Sequence, residues 1–434
     1  MVRCGVLGLL VTLLAGPAAA EAVVSLPPPA PPLAPSTSAS PGPALLTDAQ
    51  VAALSPVAQA ALLAPLRSAA AALDAVGRRD RPDVYAGVAL DAPEGRTDLY
   101  LTDPAAAPAL VALAQRTDPG LGLASVTVHP AAHTQVALEA ASRAVMQRTE
   151  PYAVFAASPA PDASGVRVEV RDPAVAARTS GAALRVTAAD GAPETVPVTF
   201  VAGTPRVPHD WDAVKWHDHA PFIGGDVLTT DGHRYCTAGL PAVRVKDKHP
   251  VMVTAAHCFS SGQRVYTGAG KTWAYKNGRT GDYVGTVKAR NRPFDAEVLE
   301  GADNNADESD TSGYKPLTSV AYSYRGDYVC HSGARSAAEG HPTPCGIKVT
   351  DDDLYFREAG YTVRGVEGID VHGWGSVGGD SGGTVFAVEP HGERQLRGLV
   401  STGGDDGTKD QRRVDWPEAV DIFRTLGLKL NPTT

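Results

Sequence analysis

The chain has 434 residues, with 39 Lys+Arg set against 48 Asp+Glu for a formal net charge of −9, and it is 43% hydrophobic and 20% charged. That length exceeds one ordinary core, so two or three domains are expected. A negative balance without a Lys/Arg-rich stretch argues against nucleic acid as the main partner, and a single long apolar run, at the extreme N-terminus, excludes a multispanning membrane protein.

Residues 1–20 (MVRCGVLGLLVTLLAGPAAA) place Arg3 before an apolar run from Val6 to Ala15, with Ala18-Ala19-Ala20 as a small-residue cleavage site. This pattern predicts a secretory signal peptide, too short to span a membrane comfortably, and hence a secreted, extracellular protein with no stable membrane association. Cys4 leaves with the signal. Cys236, Cys258, Cys330 and Cys345 remain, an even set that implies disulfides in an exported chain, with three formal pairings. Residues 21–46 hold a Pro/Ala/Ser tract (LPPPAPPLAPSTSASPGP) that cannot bury enough surface to fold and reads as a linker.

Residues 47–205 are rich in Ala, Val and Asp and contain no cysteine. The stretch 47–76 predicts helix broken at Pro56 and Pro65. Runs of β type follow at 84–90, 97–103, 124–128, 152–157, 165–170, 183–188 and 196–201, with helical spacing between them at 108–116 and 135–148. This order predicts an α+β domain. His129 and His133 read as surface residues.

From 206 to 434 the composition changes. The four remaining cysteines and all five tryptophans (Trp211, Trp216, Trp273, Trp374, Trp416) fall here, among short β-type runs punctuated by Gly, Asn-Gly and Asp. These predict an all-β sandwich or barrel domain. Near the end, Asp415 and Pro417 precede a helical pattern, WPEAVDIFRTLGL.

Two segments of this second region carry chemistry. Gly379-Asp380-Ser381-Gly382-Gly383 holds a serine in a glycine-rich tight turn, which can present its hydroxyl outward and gather backbone N–H groups around one point; such a serine needs a base to become a nucleophile. Val253-Thr254-Ala255-Ala256-His257-Cys258 supplies one, a histidine closing a β-type run beside a cysteine that would fix its position.

These segments, TAAHC and GDSGG, resemble the signature segments of the chymotrypsin-like serine proteases, in that family's order of His, Asp, Ser. The secreted bacterial branch, which includes alpha-lytic protease and the streptogrisins, is the nearest resemblance, over about residues 222–425. It implies two six-stranded antiparallel β-barrels with a C-terminal helix, and acyl transfer by His257, Asp295 and Ser381. Asp295, in Pro293-Phe294-Asp295-Ala296-Glu297-Val298-Leu299, stands where the family has its acid, at the head of an apolar strand; Asp282 is the rival, and Glu297 departs from the family's apolar residue. The resemblance further implies an oxyanion hole from the N–H groups of Gly379 and Ser381, and a substrate site from Gly375, Ser376, Ser401, Thr402 and Gly403. It also implies disulfides Cys236–Cys258 and Cys330–Cys345. A catalytically silent binding protein and an acyl hydrolase acting mainly on esters are the alternatives. No cofactor and no metal are expected.

By size and placement, residues 47–205 resemble the removable pro-regions of that branch, which act as intramolecular chaperone and inhibitor. The partners expected are therefore protein or peptide substrates and the chain's own pro-region, with the enzyme a monomer. Maturation is expected within 203–222, and a freed Ile223 ammonium is one candidate partner for Asp380. His217-Asp218-His219 reads as a solvated processing segment, and the acidic stretch 303–310 lacks the glycine and bidentate glutamate of a dedicated calcium loop. Gly375 and Ser376 argue against a simple Arg/Lys pocket, unless Asp405 or Asp406 points inward.

Overall fold

The computed structural model describes residues 46–122, 125–147, 152–187, 191–205, 207–208, 218–269, 279–310 and 313–431. The expected signal peptide, the linker up to residue 45, residues 209–217 of the expected processing segment, and Trp211, Trp216 and Trp273 lie outside them.

Thr47 opens the first helix, Asp48–Ala52, with a capping box: its hydroxyl accepts from the Gln50 N–H while the Gln50 amide oxygen accepts from the Thr47 N–H. Ser55 caps the second helix, whose first residue is Pro56, so the first expected break is present. The second is not. Pro65 lies inside a continuous helix, Pro56–Asp80. Both Pro65 and Ala61, whose carbonyl loses its donor, are on the exposed side, where that carbonyl is open to solvation, while Leu63, Leu66, Leu73 and Val76 keep the opposite face buried. That face packs on a three-stranded sheet, Tyr85–Asp91, Arg96–Leu101 and Val126–Pro130.

A second α+β layer follows. The helix Gln135–Gln147 lays Leu138, Ala141 and Val145 against Val154, Val168, Val170 and Val196 of the strands Val154–Pro159, Val166–Val170 and Pro193–Ala202. Each β-type run expected in this half contains a strand, and both helical runs are helices, with ends shifted by a few residues. His133 is a correction: it is buried, and its Nδ1 lies 2.5 Å from Glu194 Oε1.

The C-terminal half is mostly β with a terminal helix, as expected, and carries one short further α-helix, Ala334–Ala338, among the described residues. An eight-stranded antiparallel sheet curls around Leu228, Met252, Val265, Val287 and Leu299. A second sheet encloses Val329, Ile347, Val349, Val385, Val414 and Trp416. Pairing runs on at the edges of both. After the helix Ala419–Leu426, which stops at Gly427 in a left-handed conformation, Leu428–Leu430 returns to pair with Leu240–Arg244 in the first sheet. In the second, the long strand Cys345–Glu358 pairs with Val154–Pro159, so that sheet continues into the N-terminal region. Ile422 and Phe423 of the helix pack with Leu240, Phe386 and Leu399, filling the space between the two sheets.

Candidate active site

The strand Pro250–Ala255 pairs with Ala296–Glu300, Ala255 opposite Ala296, and this register sets the two residues just past the pair side by side. Ala256 donates its N–H to the Asp295 carbonyl at 2.9 Å, and His257 donates its own N–H to Asp295 Oδ1 at 3.0 Å. Asp295 ends the 3₁₀ turn Arg292–Phe294 in a left-handed conformation (φ 38°), uncommon for a residue with a side chain and held here by these bonds. The Cys236–Cys258 disulfide fixes the other side of His257.

Four donors converge on the Asp295 carboxylate. Oδ1 accepts from the His257 N–H and, at 2.8 Å, from the Tyr361 hydroxyl; Oδ2 lies 2.7 Å from His257 Nδ1 and 2.6 Å from the Ser401 hydroxyl. Burial opposes the charge, but the facing His257 imidazole and the hydrogen bonds from His257, Ser401 and Tyr361 outweigh it and hold the carboxyl below its usual range. On the far side of the ring, His257 Nε2 lies 2.8 Å from Ser381 Oγ. The three side chains thus form a continuous hydrogen-bonded line.

Ser381 arrives from the second sheet. Its turn is tied down by Asp380 N–H to Val377 O, Gly383 N–H to Asp380 O and Gly382 N–H to Val400 O. Gly382 has φ 89°, and a Cβ there would come within 2.1 Å of Thr254 Oγ1, so both conformation and space demand glycine. Among the described residues, the N–H groups of Gly379 and Ser381 have no hydrogen-bond partner, which leaves both donors available at the nucleophile. The neighbouring Asp380 carboxylate accepts from the Ser336 N–H (2.8 Å), the Ser336 hydroxyl (2.5 Å) and the Val377 N–H (3.0 Å). In the uncut chain Ile223 donates its backbone N–H to Asp218, at 3.1 Å.

The other expected residues gather around this line. Ser381 Oγ lies 3.5 Å from the Ser401 carbonyl. Thr402–Gly403 pairs on one side with Arg413–Trp416 and on the other, antiparallel, with Val207–Pro208, just past the N-terminal region and within the expected processing segment: Thr402 faces Pro208 and Gly403 faces Val207. Gly375 donates to the Gln411 carbonyl and accepts from His331, and the Ser376 hydroxyl lies 3.5 Å from the Arg413 carbonyl. Of the two loop aspartates, Asp406 reaches the same wall, accepting from the Gly378 N–H at 3.4 Å. Arg413 donates to the Gly403 carbonyl and to Thr204 and Pro205 of the N-terminal region. The second pair, Cys330–Cys345, is also bonded. Asp282, the rival acid, lies elsewhere, against His219. The acidic stretch near 303 is a strand, Asn304–Asp310, whose Glu308 faces Arg394.

Ser381 and Asp295 are fully buried and the His257 side chain is 3% exposed, so the site is closed to solvent in the full chain. Two further carboxylates lie close. Glu358 Oε1 is 3.8 Å from His257 Nδ1, and Glu297 lies beneath the pair, 3.2 Å from Arg290. Burial pushes the Glu297 carboxyl up to about 9 against the pull of Arg290, so it is a neutral acid at pH 7. Tyr361, Glu358 and Ser336 were missed by sequence reasoning. Each sits far along the chain from its partner, and no local spacing signals it.

No protein-family model matches the chain, and no curated protein is similar to it. Solved structures match about half of the chain. Nocardiopsis protease (NAPase) matches at 22% identity over 48% of this chain and 98% of its own, with a TM-score of 0.37. Thermobifida fusca protease A matches at 22% over 49% and 98%, with a TM-score of 0.37, and a glutamic acid-specific serine protease at 19% over 48% and 100%, with a TM-score of 0.38.

Proposed function

We propose that this chain is the secreted precursor of a serine endopeptidase that cleaves peptide bonds through an acyl-enzyme on Ser381. The observation that carries the reading is the line from Asp295 Oδ2 through His257 (2.7 Å) to Ser381 Oγ (2.8 Å). His257 Nε2 takes the Ser381 proton as Oγ attacks the carbonyl carbon, then returns it to the leaving amine; water repeats the cycle to free the acid. Asp295, kept ionised by its donors, holds the Nδ1–H tautomer and stabilises the imidazolium. The N–H groups of Gly379 and Ser381 receive the oxyanion, each worth about 3 kcal/mol.

Residues 47–205 act in this reading as a pro-region, both folding chaperone and intramolecular inhibitor. Two features support that role. The Val207–Pro208 strand lies along Thr402–Gly403, the edge on which a peptide substrate would pair, and Ser381 is fully buried. A maturation cut after Pro208, within residues 203–222, would carry this strand away with residues 47–205 and open the edge to protein or peptide substrates, with Gly375, Ser376, Ser401, Thr402 and Gly403 around the scissile residue.

A fluorophosphonate probe tests the chemistry on the secreted product. The wild type should be labelled on Ser381 and hydrolyse peptides, and His257→Ala should lose both. Labelling with ester but no peptide turnover would favour an acyl hydrolase, and the absence of labelling would favour a silent binding protein.

A further inference from the structure

The strands Cys345–Glu358 and Tyr361–Asp370 form a long hairpin whose tip, residues 358–361, reaches across from the second sheet to the His257–Asp295 pair. Tyr361 is the nearest contact, its hydroxyl 2.8 Å from Asp295 Oδ1. Burial and the facing Asp295 raise the Tyr361 phenol well above its ordinary range, so it remains a donor at every working pH. Arg292 stacks on its ring, 5.7 Å from the centroid. A few residues back, Tyr355 and Phe356 pair with Ala157 and Ala156, Arg143 donates to the Tyr355 hydroxyl and Arg357 to the Met146 carbonyl, so the same hairpin is gripped by the N-terminal region.

We infer that Tyr361 is a positioning residue for Asp295: through its hydroxyl, the hairpin tip fixes the carboxylate's rotation and draws off part of its charge. This rests on the reading of Ser381, His257 and Asp295 as the reacting set. Without it, the His257 N–H and the Ser401 hydroxyl still hold the carboxylate, but Oδ1 is left with one donor. The freer carboxylate then concentrates more charge on His257, making the imidazole more basic and less well aimed. The charged and titratable groups facing His257 are Asp295 at the end of the 3₁₀ turn, Glu297 and Arg290 on the first sheet, and Glu358 and Tyr361 at the hairpin tip.

The test is Tyr361→Phe, which keeps the ring under Arg292 and removes only the hydroxyl. Two readouts are used. In the full chain carrying Ser381→Ala, the His257 ring is titrated by NMR with and without Tyr361→Phe; the variant should titrate at higher pH. In the active secreted product, with sites counted by burst titration, kcat per site should fall about fivefold, the size of one hydrogen bond, with KM unchanged. A His257 titration that does not move, with equal kcat per site, overturns the assignment even if the variant is less stable. A shifted titration in a protein that turns over no substrate upholds the positioning role and overturns the protease reading instead.

Discussion

Both oxygens of the Asp380 carboxylate are engaged by Ser336: Oδ1 accepts its N–H at 2.8 Å and Oδ2 its hydroxyl at 2.5 Å. Trp374 Nε1 donates to the same hydroxyl at 2.9 Å. The acid beside the nucleophile is thus held by a neutral residue of the second sheet's short helix Ala334–Ala338. Ser336→Ala removes a hydrogen bond to a buried charge, worth about 1.5–3 kcal/mol, and loosens the turn that aims Ser381. Peptide turnover should fall roughly 10- to 100-fold, together with thermal stability.

Asp295→Asn keeps the shape but presents an amide where Nδ1–H needs an acceptor. The histidine then adopts the wrong tautomer, and kcat should drop about 10⁴-fold at neutral pH with KM little altered. The same carboxylate governs acid stability. Its folded pKa lies below the unfolded value, so its stabilisation is fully present above the ordinary carboxylate range and is lost as pH falls through the folded value. Unfolding midpoints measured from pH 6 to pH 2 should therefore show a smaller acid-side decline in Asp295→Asn than in the wild type.

Glu297 has the opposite sign. Its folded pKa, about 9, exceeds that of an unfolded glutamate, so the folded state holds a proton the unfolded state releases, and stability falls as pH rises from about 4.5 to 9. Glu297→Gln supplies a permanently neutral isostere. It should stabilise the protein at pH 8 and make little difference at pH 4, as read by urea midpoints at the two values.

Arg67 ties the N-terminal helix to the C-terminal half. Its guanidinium donates to Asp327 Oδ1, the Val388 carbonyl and the Tyr328 carbonyl, all within 3.0 Å, and is buried. Arg67→Met removes these donors at once, while Asp327 keeps Arg397 at 3.1 Å. The loss should sit near the lower end for a broken buried pair, about 3 kcal/mol by chemical denaturation of the full-length Ser381→Ala chain.

The fold class was legible because alternation and helical spacing are local. The runs at 165–170 and 135–148 became the strand Val166–Val170 and the helix Gln135–Gln147, since each buries a single face. Pro65 misled because a proline's cost depends on which face it occupies, a tertiary fact. His257, Asp295 and Ser381 stood out through motif and order, and the structure brings them together with Ser401 and Thr402–Gly403. What stayed hidden was long-range: Tyr361 on Asp295 and Ser336 on Asp380 join residues from separate elements, 66 and 44 positions apart. The raised Glu297 carboxyl likewise depends on burial that no composition reveals.

The most direct test of the account is the intact mass of the secreted product from the wild-type gene and from Ser381→Ala, expressed side by side. The wild type should lose roughly its first 200 residues while the variant retains residues 47–205 joined to the rest, and the wild-type mass then locates the maturation bond. If both products keep that region, self-processing by Ser381 is contradicted. If both are cut at the same bond, another protease performs the maturation, and the claim that Ser381 removes its own pro-region fails.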